Sequence, residues 1–247
     1  MLIFILLVST VSLRCVAQRE DRVAQNHIAS QNEVDSILTK LQSRDESDVR
    51  EARAALAEMG EGAIEPLISL LKDLTNQAVK RPGTVAGGSV PGHNARVVDP
   101  NTRSRTENDI YDILGRLRAV EAVPLLVAIM EEEEIDDMIQ GMSPVMRALA
   151  EIGPAAVPQL IRSIDDAKST ASAVPELLAS DLTEETRRRN LGWIQGRIEL
   201  RATLVLREIA DPRAIPALER LQTMSDNEFI VTQAREAVTK IQNRTGQ

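Results

Sequence analysis

One phrase of fourteen residues occurs twice in this chain, and the repetition constrains the fold more than any other feature of the sequence. Residues 55–68 read ALAEMGEGAIEPLI and residues 148–161 read ALAEIGPAAVPQLI, so eight of fourteen positions are identical without a gap. Two looser copies lie at 113–126 and 205–218. Internal repetition of this kind is typical of folds in which one structural unit stacks on copies of itself.

Each copy predicts two antiparallel helices joined by a tight turn. The first helix ends in two apolar residues three positions apart, often with a Gly that suits a left-handed C-terminal conformation. The second helix opens with a proline at or near its first position, where the missing N–H costs nothing, and three prolines occupy this slot: Pro124, Pro158 and Pro216. Glu65 takes the slot in the first copy. A pair of such short helices cannot bury its apolar faces alone, so we expect neighbouring pairs to stack.

Two further stretches carry a family resemblance. Residues 43–56 (SRDESDVREARAAL) suggest a turn and a first helix, with Asp45 or Ser47 as the cap, and residues 211–218 read DPRAIPAL. The units resemble HEAT repeats, in particular the short HEAT-like class also found in phycobilin lyase subunits. The resemblance implies an all-α fold, a right-handed HEAT-like α-solenoid built as a superhelix of antiparallel helix pairs. It implies no particular activity, because one fold supports many functions.

The repeat domain is predicted to cover residues 31–243. Within it we expect repeats near 45–73, 107–133, 136–166 and 182–223, and capping helices at 31–43 and 227–243. The core must be aliphatic because the chain has only four aromatic residues, namely Phe4, Tyr111, Trp193 and Phe229. Residues 18–30 show no sustained apolar period and are predicted to form a flexible arm.

The first seventeen residues are interpreted as a signal peptide. Residues 2–13 are apolar, too short for the roughly 20 residues that span a bilayer but suited to a secretory signal. Cys15 and Ala17 are the small residues before a cut at Gln18, so we expect a periplasmic or secreted protein with no membrane span. The rival interpretation is a lipoprotein lipidated at Cys15, and it ranks second because Arg14 precedes the cysteine. After the cut the chain would hold no cysteine.

Two insertions interrupt the repeat, at 76–106 and 168–194. Both are predicted to emerge on the same edge of the stack. The first is rich in Gly and Pro, with a net charge of +4 in an acidic protein. It is interpreted either as a disordered linker or as a loop that recognises anions or carboxylates through Arg96, Arg103 and Arg105.

The second insertion is predicted to lead into a long helix. Asp181 with Glu184 reads as a capping pair, and the helix continues through Trp193. Trp193 is expected to pack against the edge of the stack, with ligand stacking as the less favoured alternative.

The sequence contains no pattern typical of catalysis or of a resident cofactor. His27 and His93, the two histidines, are not spaced with a carboxylate or serine as a triad or with each other as a zinc pair. The acidic run 131–137 lacks the alternating oxygen ligands of a calcium loop and is interpreted as a solvated turn. Neither a metal nor a cofactor is predicted. The net charge of −8 and the few aromatic residues disfavour nucleic-acid binding.

The remaining prediction is a binding surface. In a HEAT-like solenoid the second helices line the concave side, and their outward positions are predicted to be Ser69, Lys72, Asp73, Ala128, Glu131, Arg162, Asp165, Arg220 and Thr223. Charges of both signs suit contact with a protein or peptide. The sequence therefore predicts a non-enzymatic binding scaffold that uses this face and the two insertions. The alternative, which the likeness to lyase-associated repeats implies, is an accessory or regulatory subunit of an enzyme complex.

Overall fold

The structure is a computed structural model that describes residues 32–79, 100–132, 142–173 and 183–246. These residues form helices and short turns, and no strand occurs among them. The chain is therefore all-helical where it is described. The predicted signal peptide and the arm at 18–30 lie outside these ranges. Two compact units, 1–58 and 59–247, divide the chain and are treated separately.

The first unit contains helix α1 (32–41) and most of helix α2 (Glu46–Met59). The cap of α2 is Asp45 rather than Ser47, because the Asp45 Oδ1 accepts a hydrogen bond of 2.7 Å from the Ser47 backbone N–H. A carboxylate at this position satisfies one of the free N–H groups of the first turn and interacts favourably with the helix dipole. Lys40 of α1 pairs with Glu51 of α2 at 2.7 Å.

The second unit holds the remaining helices. In chain order they are α3 (Ile64–Val79), α4 (Pro100–Arg116), α5 (Val123–Glu132), α6 (Pro144–Ile152), α7 (Val157–Ser172), α8 (Glu184–Ile209), α9 (Ile215–Met224) and α10 (Glu228–Thr245). Each of α3, α5, α7 and α9 follows a short 3₁₀ turn, as expected for the second helix of a repeat. Pro124, Pro158 and Pro216 are the second residues of their helices, which confirms their predicted position.

Helices of like position contact one another in chain order. The first helices pack as α4 on α6, α6 on α8 and α8 on α10, while among the second helices α5 packs on α7 and α7 on α9. The most extensive backbone contact between described helices is that of α7 with α8. Ala167 and Ala171 of α7 allow it, because their small side chains pack against Ile194 and Ile198 of α8.

The turn between paired helices uses glycine in two copies and another residue in the other two. Gly60 and Gly153 have positive φ angles of +58° and +78°, which glycine adopts without steric cost. The ψ angle of Gly153 is −137°, so this residue does not take the left-handed helical conformation predicted for it. Arg118 and Ala210 also have positive φ angles, of 51° and 54°, and Ala210 takes the left-handed helical conformation. Gly115 has a different role: an added Cβ would lie 3.0 Å from the Ala148 Cα, so it permits the close approach of α4 and α6.

The buried core of the described residues is aliphatic, as predicted. Leu, Ile, Val, Ala and Met side chains fill it, and Tyr111 is the aromatic residue among them. No helix in the described ranges has the length and apolar character needed to cross a bilayer.

The insertions are partly helical at their ends. Residues 76–79 complete α3 and residues 100–106 open α4, so the predicted structureless loop is wrong for 100–106. In the second insertion, 168–172 belong to α7 and 184–194 to α8. The long helix is confirmed, but its cap is Thr183, whose Oγ1 accepts from the Thr186 N–H at 3.2 Å. Asp181 lies outside the described residues.

Candidate binding face on the second helices

Helices α7 and α9 bring two of the predicted binding residues together. The Arg220 Nη2 of α9 lies 2.8 Å from Oδ1 and 3.0 Å from Oδ2 of Asp165 on α7. Both side chains are about half exposed, at 50% and 47%. An ion pair this accessible contributes only about 0–1 kcal/mol to stability, because water solvates both charges. The two groups are therefore available to a partner at little cost.

Arg162 extends this charged surface along α7. It is exposed, and its Nε donates a long hydrogen bond of 3.4 Å to the Pro158 carbonyl one turn earlier. No ion pair to Arg162 occurs within the described ranges, so its charge faces solvent. Thr223, also exposed, donates to the Arg220 carbonyl at 2.8 Å. We call Arg162, Asp165, Arg220 and Thr223 the α7–α9 face.

The predicted residues of α3 are exposed but form a separate group. Ser69, Lys72 and Asp73 are spaced three and four positions apart, which places them on one side of the helix. Within the described part of the chain, no hydrogen bond or ion pair links them to the α7–α9 face. The structure therefore pairs Asp165 with Arg220, and among the described residues it does not pair the α3 residues with either of them.

Glu131 does not point outward as predicted. It is only partly exposed, and the Ser163 hydroxyl of α7 donates to its Oε1, whereas Ala128 is exposed as expected. Burial raises the pKa of Glu131, the Ser163 hydrogen bond opposes this, and the neighbouring carboxylates of Asp166 and Glu132 add to the increase. Glu131 is a contact between α5 and α7 rather than part of an open binding surface.

Two arginines of α8 close the carboxyl end of α5, a feature that sequence reasoning missed. The Arg197 Nη2 donates to the Glu131 carbonyl at 3.0 Å, and the Arg201 Nη1 donates to the Met130 carbonyl at 2.7 Å. Cations are favourable at this end of a helix because its last carbonyls are otherwise unpaired. The four-residue spacing of Arg197 and Arg201, which places both on one side of a helix, was the sequence signal that could have indicated a shared role. Nothing in the sequence indicated that their target is 66 and 71 residues away.

Trp193 is 53% exposed, so the prediction that it packs against the stack is wrong. Its neighbours in sequence, Leu191 and Ile194, are the side chains that meet α7. The helical register turns Trp193 away from that contact. The Arg197 guanidinium carbon lies 5.3 Å from the Trp193 ring centroid, within the range of a cation–π interaction.

The arginines of the first insertion are not gathered on a loop. Arg103 and Arg105 lie on α4, and Arg96 is outside the described residues. The Arg103 Nε pairs with the Glu107 Oε1 at 2.8 Å in a partly buried i,i+4 contact. Arg105 is partly buried. Because Arg103 is engaged within its own helix, it is poorly placed to act as a mobile anion-recognition group.

The described ranges contain no group of three or more histidine, cysteine or acidic side chains arranged to hold a metal ion. Cys15, His27 and His93 all lie outside these ranges. The candidate face thus offers a guanidinium pair and a carboxylate for polar contacts.

The chain was compared with protein-family models, with curated proteins and with solved structures, and none of the three comparisons gave a match.

Proposed function

We propose that this protein is a non-enzymatic scaffold that binds a protein or peptide through the α7–α9 face. In this proposal the helix pairs form a right-handed HEAT-like α-solenoid and the protein is exported to the periplasm or secreted. The packing of α5 on α7 and α7 on α9, together with that of the first helices, supports a stacked arrangement.

The Asp165–Arg220 pair is the observation that carries this proposal. It joins consecutive second helices and leaves both charges about half exposed, next to the solvent-facing Arg162. A rigid helical surface with both signs of charge holds contact residues in place at a low cost in conformational entropy. Such a surface selects a partner by charge complementarity.

The test is affinity capture with the full chain, followed by comparison of two double variants against the captured partner. Arg162→Glu with Arg220→Glu reverses two charges on the α7–α9 face and is expected to weaken binding at least tenfold. Arg188→Glu with Arg189→Glu makes the same charge change at exposed positions of α8 and serves as the matched control. Equal affinity of the two double variants would refute the proposal.

The first insertion is the competing surface, and Arg96→Ser with Arg103→Ser and Arg105→Ser tests it in the same assay. This variant needs a thermal-unfolding control because it removes the partly buried Arg103–Glu107 pair. Export is tested separately by mass spectrometry of the mature protein, which should begin at Gln18.

A further inference from the structure

Glu199 of α8 is a buried carboxylate without a cationic partner. It is only 6% exposed, and the Gln195 Nε2 donates to its Oε1 at 2.7 Å. Among the described residues no lysine or arginine forms an ion pair with it, and burial raises its pKa while the Gln195 hydrogen bond lowers it. Burying a carboxylate is costly unless an opposite charge compensates it. A cation bound next to Glu199 would therefore stabilise its charged form.

Glu199 lines a cleft of about 500 Å³ between α8 and the connection from α9 to α10. Gly192 and Gly196 form its floor on α8, and Ser225 to Glu228 form the opposite wall. An added Cβ at Gly192 would meet nothing within 4 Å, so the floor is open there. At Gly196 the added Cβ would lie 3.1 Å from the Ile230 Cδ1, which marks where the floor closes against α10.

The lining of the cleft is rich in hydrogen-bond acceptors and negative charge. Asp226 and Glu228 line the cleft together with Glu199, and no lysine or arginine lines this part of the described structure. Two backbone N–H groups at the α9–α10 connection are already engaged: that of Asn227 donates to the Ser225 Oγ at 3.3 Å, and that of Phe229 donates to the Asn227 Oδ1 at 3.0 Å. The amino end of α10 is thereby capped. The residues that line the cleft thus include three acidic ones, of which Glu199 is the buried one.

The chemistry of the walls favours an organic cation over a metal ion. A divalent cation takes several oxygen ligands at once, and no cluster of three acidic, histidine or cysteine side chains suited to a metal occurs within the described ranges. The Met224 side chain also lines the cleft and is 78% exposed, which offers an apolar surface to an alkyl chain. Lysine and arginine side chains combine a cationic head with such a chain.

We propose that this cleft binds the cationic side chain of a lysine or arginine supplied by a partner polypeptide, with the Glu199 carboxylate as its counter-charge. The polypeptide nature of the partner rests on the proposed function. The cleft itself is tested with small probes, so its failure is distinguishable from failure of the α7–α9 face.

The experiment is an NMR titration of the full chain with Nα-acetyl-arginine methylamide and Nα-acetyl-lysine methylamide. Nα-acetyl-citrulline methylamide is the neutral control of similar shape. We expect at least one cationic probe to give saturable shifts at the amides of Gln195, Gly196 and Asn227, with at least tenfold weaker binding of citrulline. Absence of saturable shifts with both cations, or equal binding of citrulline, overturns the inference.

Two variants identify the site. Glu199→Gln should weaken the cationic probe at least tenfold, whereas Glu184→Gln removes an exposed carboxylate at the start of α8 and should leave the affinity unchanged. Gly192→Leu fills the open floor at an exposed helical position and should also abolish binding without loss of folding. If Glu199→Gln and Gly192→Leu both bind like the unaltered chain, the buried carboxylate is a structural feature only and the inference is wrong.

Discussion

The α7–α9 face and the inner side of α8 carry the same kinds of charged groups in opposite environments. On the face, Asp165 and Arg220 pair in water and are each about half exposed. On α8, Arg201 is 2% exposed and donates to the Met130 carbonyl, and Glu199 is 6% exposed and accepts from the Gln195 amide. This contrast shows that burial, rather than residue type, determines how much a charged group affects the stability of this protein. An exposed charge remains solvated and contributes little to stability. A buried charge is costly unless a hydrogen bond, an ion pair or a ligand compensates it.

Truncation of one arginine in each region is expected to give the largest difference in stability. Arg201→Ala should lower the free energy of unfolding by about 2–4 kcal/mol, because it leaves a cavity and deprives the Met130 carbonyl of its donor. Arg220→Ala should cost less than about 1 kcal/mol. Urea denaturation followed by circular dichroism measures both values. Similar losses for the two variants would show that burial does not separate them.

Gly115 and Gly192 differ in the same way in their surroundings, since the first is tightly packed and the second faces open space. Gly115→Ala should destabilise the protein by about 1–3 kcal/mol, since the new Cβ would lie 2.6 Å from the Glu151 Oε2 and 3.0 Å from the Ala148 Cα. Gly192→Ala meets open space and should stabilise α8 by about 0.5–1 kcal/mol through its higher helix propensity. Thermal unfolding of the two variants should therefore shift in opposite directions, and a shared direction would contradict the packing of α4 on α6.

The titration of Glu199 is expected to have a smaller effect on the free energy of unfolding. Burial raises its pKa in the folded protein above the ordinary value of about 4.5, so folding favours the protonated form. The stability that this group contributes is therefore complete below pH about 4.5 and is lost as the pH rises through the raised pKa. Glu199→Gln should be more stable than the unaltered chain at neutral pH and equal to it in acid. Unfolding curves of both proteins, measured from acid to neutral pH, check the sign of this change in stability. If the difference in stability between the two proteins does not change with pH, titration of Glu199 is not its cause.

Local chemistry allowed much of the fold to be predicted. Asp211, directly before Pro212, accepts from the Arg213 backbone N–H at 2.9 Å, as an aspartate at the start of a helix commonly does, and the glycines at 60 and 153 adopt positive φ angles. These outcomes depend on neighbours within a few residues, so a repeated phrase is enough to reveal them. The left-handed Ala210 was not predictable in this way, because only the surrounding packing holds a residue with a Cβ in that conformation.

Of the candidate binding residues, sequence periodicity correctly predicted exposure for most of those on the second helices but not their pairings. Arg162, Asp165 and Arg220 are exposed as the helical period required, whereas Glu131 turns towards Ser163 on the next second helix. Trp193 was predicted to pack because tryptophan is usually buried, and the register of α8 against α7 overrode that tendency.

The helices, the turns and the aliphatic core could be predicted from local sequence patterns, because caps, prolines and apolar spacing act over a few residues. The contacts between groups that are distant in sequence depend instead on how the helices pack. Arg201 reaches a carbonyl 71 residues away, and Asp165 meets Arg220 across 55 residues. Glu199 is left without a cation beside a cleft that the α9–α10 connection completes. Such contacts depend on how helices approach one another, which side-chain packing fixes and local sequence patterns do not encode.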